Sequence, residues 1–148
     1  MDVRAASVVL FCLMGFTFAV PVKYLDCGST SGKVAVVDIN PCLNDPCQLH
    51  KGQSYSVNVT FNSAVESQTS KAVVHGIVAG VPVPFPLDND DGCKCGIQCP
   101  IKQQDYNYVT SLPVKSIYPS MKLVVKWELK DDGENDLFCI EFPVQIVG

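Results

Sequence analysis

Apolar and polar residues alternate with a period of two through much of this chain. From Ser54 to Phe61, Tyr55, Val57, Val59 and Phe61 fall on one face and Ser54, Ser56, Asn58 and Thr60 on the other. That is the pattern of a half-buried β-strand. Met121 to Lys130 repeats it, with Leu123, Val125, Trp127 and Leu129 opposite Lys122, Val124, Lys126, Glu128 and Lys130. Leu137 to Val147 sets Phe138, Ile140, Phe142, Val144 and Ile146 against Glu141 and Gln145. Lys33 to Ile39, Lys71 to Ala79 and Tyr106 to Leu112 are further strand candidates, the first two rich in β-branched residues. Turn signals separate them at Ser31-Gly32, Asn40-Pro41, Lys51-Gly52, Asp88 to Gly92, Tyr118-Pro119 and Asp131 to Asn135. No amphipathic helix, internal repeat or low-complexity linker stands out. About seven short strands predict an all-β domain, an Ig-like antiparallel β-sandwich. Trp127 stands too close to Cys139 for the antibody arrangement of Cys, Trp and Cys.

Val81 to Leu87 breaks the pattern, because Pro82, Pro84 and Pro86 alternate with the apolar residues. Proline has no N–H to give to a ladder, so this segment is expected at an edge or in an extended loop. Val81, Val83, Phe85 and Leu87 then share one side of a stiff backbone. Such a segment either packs down onto the core or forms the rim of an apolar pocket, and its prolines discourage edge-to-edge aggregation.

Ahead of these elements, Arg4 precedes an apolar stretch from Ala5 to Ala19, with Thr17 and Ala19 placed for cleavage. The stretch is short for a membrane span and reads as a signal peptide, residues 1–19, leaving a single domain, residues 20–148. That length can bury a real core. The formal net charge is −4, without a long basic run, which argues against nucleic-acid binding. Lys115, Lys122, Lys126 and Lys130 are read as solvent-facing.

Of the eight cysteines, Cys12 falls in the signal. Cys27, Cys42, Cys47, Cys93, Cys95, Cys99 and Cys139 remain, an odd number. In an oxidising compartment they form bridges. Cys42 and Cys47 flank a turn-like tetrapeptide and are expected to pair locally. Cys27 and Cys139 would then tie the first strand to the last, a long loop worth roughly 4–5 kcal/mol in the chain-entropy picture. Two of Cys93, Cys95 and Cys99 are expected to close a loop. Their spacing lacks a zinc-finger pattern and a fourth ligand, so no metal is assigned.

Candidate catalytic groups are sparse. His75 lies in a strand pattern and His50 in a turn beside Lys51. There is no nucleophile elbow, phosphate-binding glycine loop, zinc-protease motif or EF-hand spacing. No enzyme activity and no cofactor are assigned. Asn58-Val59-Thr60 is the single N-glycosylation sequon, with Asn58 on the polar face of its strand.

Longer motifs carry a resemblance. Pro46 to Thr60, Ser70 to Gly76, Gly80 to Pro86, Leu112 to Ser116, Lys122 to Val125 and Pro143 to Val147 resemble the ML lipid-recognition family, in its Niemann–Pick type C branch. The likeness covers nearly all of residues 20–148. It implies a sandwich that binds unesterified cholesterol or a related sterol between its sheets. It also implies a secreted monomer of the late endosome and lysosome, which passes sterol to the membrane-bound Niemann–Pick type C transporter or to anionic endosomal membranes. By matching positions, Phe85, Val114 and Tyr118 would contact sterol, with Tyr55, Val83, Pro113 and Trp127 in the pocket wall. Val81, Pro82 and Val83 would dock partners at the mouth, and Lys51 would act in membrane transfer. The implied bridges are Cys27–Cys139, Cys42–Cys47 and Cys93–Cys99. Cys95 stands where the family has serine, leaving an odd thiol able to mispair or to dimerise the protein. Lysosomal delivery would depend on the glycan at Asn58.

A sterol site requires splayed sheets, since sandwich interiors are normally filled. Tyr55, Val57, Val59, Phe61, Val125 and Trp127 have the parity to line that gap. Burying on the order of 500 Å² of sterol would give roughly 12 kcal/mol of gross transfer energy, reduced by the costs of binding. Two other readings compete: a secreted Ig-like interaction module with a full core, and an accessory protein presenting glycolipid or phospholipid.

Overall fold

A computed structural model of the chain describes residues 20–148. The expected leader, residues 1–19, lies outside the described residues. Ten strands follow in order: β1 (Val20–Pro21), β2 (Leu25–Asp26), β3 (Gly32–Asn40), β4 (Cys47–His50), β5 (Ser54–Ser63), β6 (Lys71–Val78), β7 (Val81–Pro84), β8 (Asp105–Pro113), β9 (Met121–Lys130) and β10 (Asp136–Val147). One 3₁₀ turn, Gly92–Lys94, interrupts the crossing from β7 to β8.

The strands form two sheets. One has the order β1-β3-β5-β8; the other runs β2-β10-β9-β6-β7. All these pairings are antiparallel, whereas β4 adds to β10 in parallel, Leu49 opposite Ile146. The Ig-like sandwich is therefore as expected in class, with more strands than the roughly seven anticipated. Those missed, β1, β2 and β4, are two to four residues long. So short a segment has no period to read. His50, expected in a turn, ends β4.

The long strands bury the faces their alternation predicts. Tyr55, Val57, Val59 and Phe61 of β5 and Leu123, Val125, Trp127 and Leu129 of β9 are all buried. Across the interface, Tyr108 meets Trp127 and Phe138 edge-on, at centroid distances of 6.0 and 5.7 Å, and Phe61 meets Phe138 at 5.4 Å. Edge-to-face contacts suit the aromatic quadrupole. The β9–β10 register shifts between Asp136 and Phe138. This bulge turns both Leu137 and Phe138 inward, where strict alternation would bury only one.

Polar contacts close the end of the sandwich around the β9–β10 turn. The Asp131 carboxylate accepts the N–H groups of Gly133 and Asn135 at 2.9 and 3.0 Å. Asp132 accepts those of Gln68 and Thr69 at 2.7 and 3.0 Å and the Thr69 hydroxyl at 2.6 Å. The second set ties the β5–β6 connection to the hairpin, and it holds the Asp132 carboxyl below the usual aspartate range.

Among the described residues there are three disulfides: Cys27–Cys139, Cys42–Cys47 and Cys93–Cys99. They fit a protein of an oxidising, extracytosolic compartment. Cys95 is free and buried, its sulfur 3.7 Å from the Thr110 hydroxyl. A thiol placed there is not offered to a second molecule.

Candidate functional site

At the end of the sandwich remote from the β9–β10 turn, a gap opens between the β2-β10-β9-β6-β7 sheet and the β8–β9 connection. The β6–β7 hairpin stands beside this gap. Its two-residue turn, Ala79-Gly80, has φ of +49° and +80°. A positive φ at both positions is what a tight, correctly twisted hairpin requires. In β7, Val83 opposes Gly76 and Pro84 opposes His75. The Phe85 N–H donates to the Val74 carbonyl at 3.0 Å. By the two-residue period, odd-numbered residues of β7 face β6 with their hydrogen-bonding groups, while Pro82 and Pro84 turn their nitrogens outward. The proline alternation thus makes a true edge strand.

Behind this edge lies a cavity of about 270 Å³, lined by Gly76, Val78, Val83, Pro84, Phe85, Tyr118, Pro119, Met121, Leu123 and Ile146. Every lining side chain is apolar except Tyr118. The rings of Phe85 and Tyr118 meet edge-on at 5.2 Å and 65°. The Tyr118 hydroxyl is buried and has no hydrogen-bond partner among the described residues. Burial pushes its pKa up. It is the one side-chain hydroxyl presented to the cavity.

Gly76 makes part of this space. A methyl group there would lie 2.9 Å from Leu123 Cδ1 and 3.7 Å from Phe85 Cδ2. A glycine inside a strand often marks a close approach. Gly76→Val is expected to fold, at a cost of about 1–3 kcal/mol for overpacking, and to lose most uptake of an apolar ligand. A thermal melt and a binding titration of the same sample check this; full uptake by a folded variant would show that the cavity is not used.

The expected site residues separate into groups. Val83, Phe85 and Tyr118 line the cavity. Tyr55, Val114 and Trp127 are buried but lie outside its wall, and Pro113 is half-buried at the end of β8. Tyr55 has a local task, its hydroxyl accepting the His50 N–H at 2.6 Å. Val114 exchanges backbone bonds with the β4–β5 turn, at Gly52 and Gln53. Val81 and Val83 are 59% and 46% exposed, Pro82 is exposed, and Ile117, not anticipated, is 84% exposed. Lys51 sits half-buried in the β4–β5 turn, its backbone N–H bonded to the Val147 carbonyl. Asn58 is half-buried on the outer face of β5, between Asp38 and Val109, with its Oδ1 unpartnered among the described residues. Leu123 and Ile146 had the right parity for the cavity wall, and the glycine within a strand pattern was the signal for Gly76. Nothing in the sequence singled out Met121 or Pro119.

Among the described residues, one cluster brings metal-type donors together: Glu128, Asp136 and Cys139. Cys139 is committed to a disulfide, and the Lys130 ammonium lies 3.2 and 3.4 Å from the two carboxylates. That is an ion-pair cluster, unsuited to a cation.

Residues 21–146 match the family model of the ML domain. The chain is 68% identical over 148 residues to the zebrafish (Danio rerio) protein named NPC intracellular cholesterol transporter 2, covering 99% of each. It is 56% identical over 143 residues to the mouse (Mus musculus) protein of that name, covering 96% of each. Its backbone superposes on the crystal structure of a Niemann-Pick type C2 protein from Japanese carpenter ant with a TM-score of 0.78 at 27% identity, covering 84% of this chain and 99% of that one. With the sandwich, the three bridges and a match across nearly all the described residues, the chain belongs to the ML-domain family.

Proposed function

We propose that the protein is a soluble sterol carrier, binding one unesterified sterol between its sheets through the mouth framed by β7 and Tyr118. The observation that carries this reading is the cavity behind the β7 edge, apolar but for one unpartnered hydroxyl. Relatives of 68% and 56% identity bearing the name of an intracellular cholesterol transporter support it. Such a carrier makes and breaks no covalent bonds and is not an enzyme.

The cavity's 270 Å³ lies just under the roughly 300–1,000 Å³ of most small-molecule sites. Entry must therefore part the Phe85 and Tyr118 rings and spread the sheets. From Leu123 to Trp127 along β9 is about 13 Å at strand rise. A rigid ligand inserted that far would reach Trp127, and with it Tyr55 and Val114, as additional walls. The Tyr118 hydroxyl, buried and unpartnered among the described residues, suits the single oxygen of a sterol. Val81, Pro82, Val83 and Lys51 would meet a membrane or the membrane-bound Niemann–Pick type C transporter, in a late endosomal or lysosomal lumen reached by way of a glycan on Asn58.

Titrating the delipidated protein with a fluorescent sterol tests the reading. Saturation near one sterol per chain, reversed by cholesterol, is expected. Displacement by cholesterol sulfate as well would place the sterol's oxygen at the solvent end. A folded monomer with no saturable binding would favour an Ig-like interaction module, and displacement by phospholipid or glycolipid alone would favour a presenting accessory protein.

A further inference from the structure

We infer that Glu128, Asp136 and Lys130 form a proton-sharing clasp at the closed end of the sandwich, fastening it more tightly in mildly acid solution than at neutral pH. The inference is independent of the lipid reading.

The geometry is that of two carboxylates served by one ammonium. Lys130 Nζ lies 3.2 Å from Glu128 Oε2 and 3.4 Å from Asp136 Oδ1. All three side chains are largely covered, with relative exposures of 28% for Lys130, 13% for Glu128 and 16% for Asp136. The bulge that turns Leu137 and Phe138 inward leaves Asp136 opposite Lys130. Both ionised, the carboxylates hold one negative charge too many in a partly desolvated place. One proton removes that charge and lets a carboxylic O–H donate to the other carboxylate, a strong charge-assisted bond.

Among the described residues, no second cation pairs with Asp136. Glu128 and Lys130 are the charged groups that act on it. Lys126, on the same face of β9, acts on Glu128. From β6, Lys71 opposes Lys130 and the apolar Val73 opposes Glu128. From the segment before β3, Thr30 and Ser31 bring only backbone N–H groups, bonded to the Asp136 carbonyl at 3.0 and 2.9 Å. The Asp26 carboxylate there is occupied by the N–H groups of Gly28 and Ser29. Burial and the neighbouring Glu128 push the Asp136 carboxyl up to about 6. Burial opposes ionisation of Glu128 too, but hydrogen bonds from Asp136 and Lys130 and the charges of Lys130 and Lys126 hold it lower than usual. Asp136 thus takes the proton.

The sign follows from linkage. Between the ordinary aspartate value and about 6, the folded state binds more protons than the unfolded one, so stability grows as pH falls through this window. The backbone carbonyl of Asp136 accepts the N–H groups of Thr30 and Ser31, so the residue that takes up the proton also sits where the segment before β3 meets β10.

Chemical unfolding at about pH 5 and about pH 7.5 reads this out. The folding constant is expected to rise by about tenfold toward the lower pH. In Asp136→Asn, which carries a permanently neutral partner for Glu128, the rise should largely vanish, with stability at the higher pH equal to or above wild type. Histidine ionisation over the same interval is common to both proteins and cancels in the difference. A carboxyl-carbon NMR titration supplies the second reading. Asp136 should titrate near 6 in the wild type and move down in Glu128→Gln. An Asp136 midpoint in the ordinary aspartate range, or an unchanged pH slope in Asp136→Asn, would overturn the clasp.

Discussion

Phe85→Ala is expected to weaken sterol binding by about thirtyfold to 150-fold while leaving the protein folded. The ring is buried at the inner end of the edge strand, borders the cavity and meets Tyr118 edge-on. A desolvated aromatic of this kind contributes roughly 2–3 kcal/mol to holding a ligand, which converts to that change in Kd. Two effects oppose each other. Removing the ring opens the mouth and should speed entry, while removing its contact surface should speed escape much more. Stopped-flow measurement separates them: the association rate should hold or rise and the dissociation rate should climb. The stability cost should fall at or below the low end of the about 3–5 kcal/mol seen for core phenylalanines, because one side of the ring already faces open space. An unchanged dissociation rate in the folded variant would remove Phe85 from the site.

Replacing Cys27 and Cys139 together by serine should lower stability by about 4–5 kcal/mol, the loop-entropy value for a closure of this size. The bridge spans a sequence separation of 112, whereas Cys42–Cys47 spans 5. The matched double replacement at Cys42 and Cys47 should therefore cost only about 2 kcal/mol. Against the roughly 5–15 kcal/mol of a typical domain, the first loss is severe and the second bearable. Their neighbourhoods reinforce the ranking. Around Cys139, β2, the Cys27 N–H and the Ser29 hydroxyl converge on β10. Thermal melts should show a drop of about 15 °C for the long bridge and less than half of that for the short one. The reverse order would mean that strain or unfolded-state structure outweighs chain entropy here.

Much of the architecture is written in parity. Tyr55, Trp127 and Leu123 all fall on inward faces, and all are inward. Parity gives the face of a residue and says nothing of its depth. Leu123 borders the cavity while Tyr55 and Trp127 are packed away from it, and that difference depends on neighbours brought in from distant parts of the chain. The edge strand was legible because Pro82 and Pro84 forbid an interior position. The clasp was not, since alternation read through Leu137 hides the register shift that sets Asp136 beside Lys130. Nor was the parallel seam of β4, where a four-residue strand pairs with residues almost a hundred positions away.

The position of β10 in its sheet has a further consequence, for how the chain is made. This strand pairs with β2, β4 and β9, carries one end of the long disulfide and is the last of the ten in chain order. Until synthesis reaches it, β9 is therefore unpaired on one side, and β2 and β4 lack their sheet partner altogether. Long-range closures of this kind are slow and leave sticky intermediates exposed. A stop codon before Asp136 would leave the larger sheet without the strand that joins β2, β4 and β9, and such a chain should fail to fold, whatever the state of its binding residues.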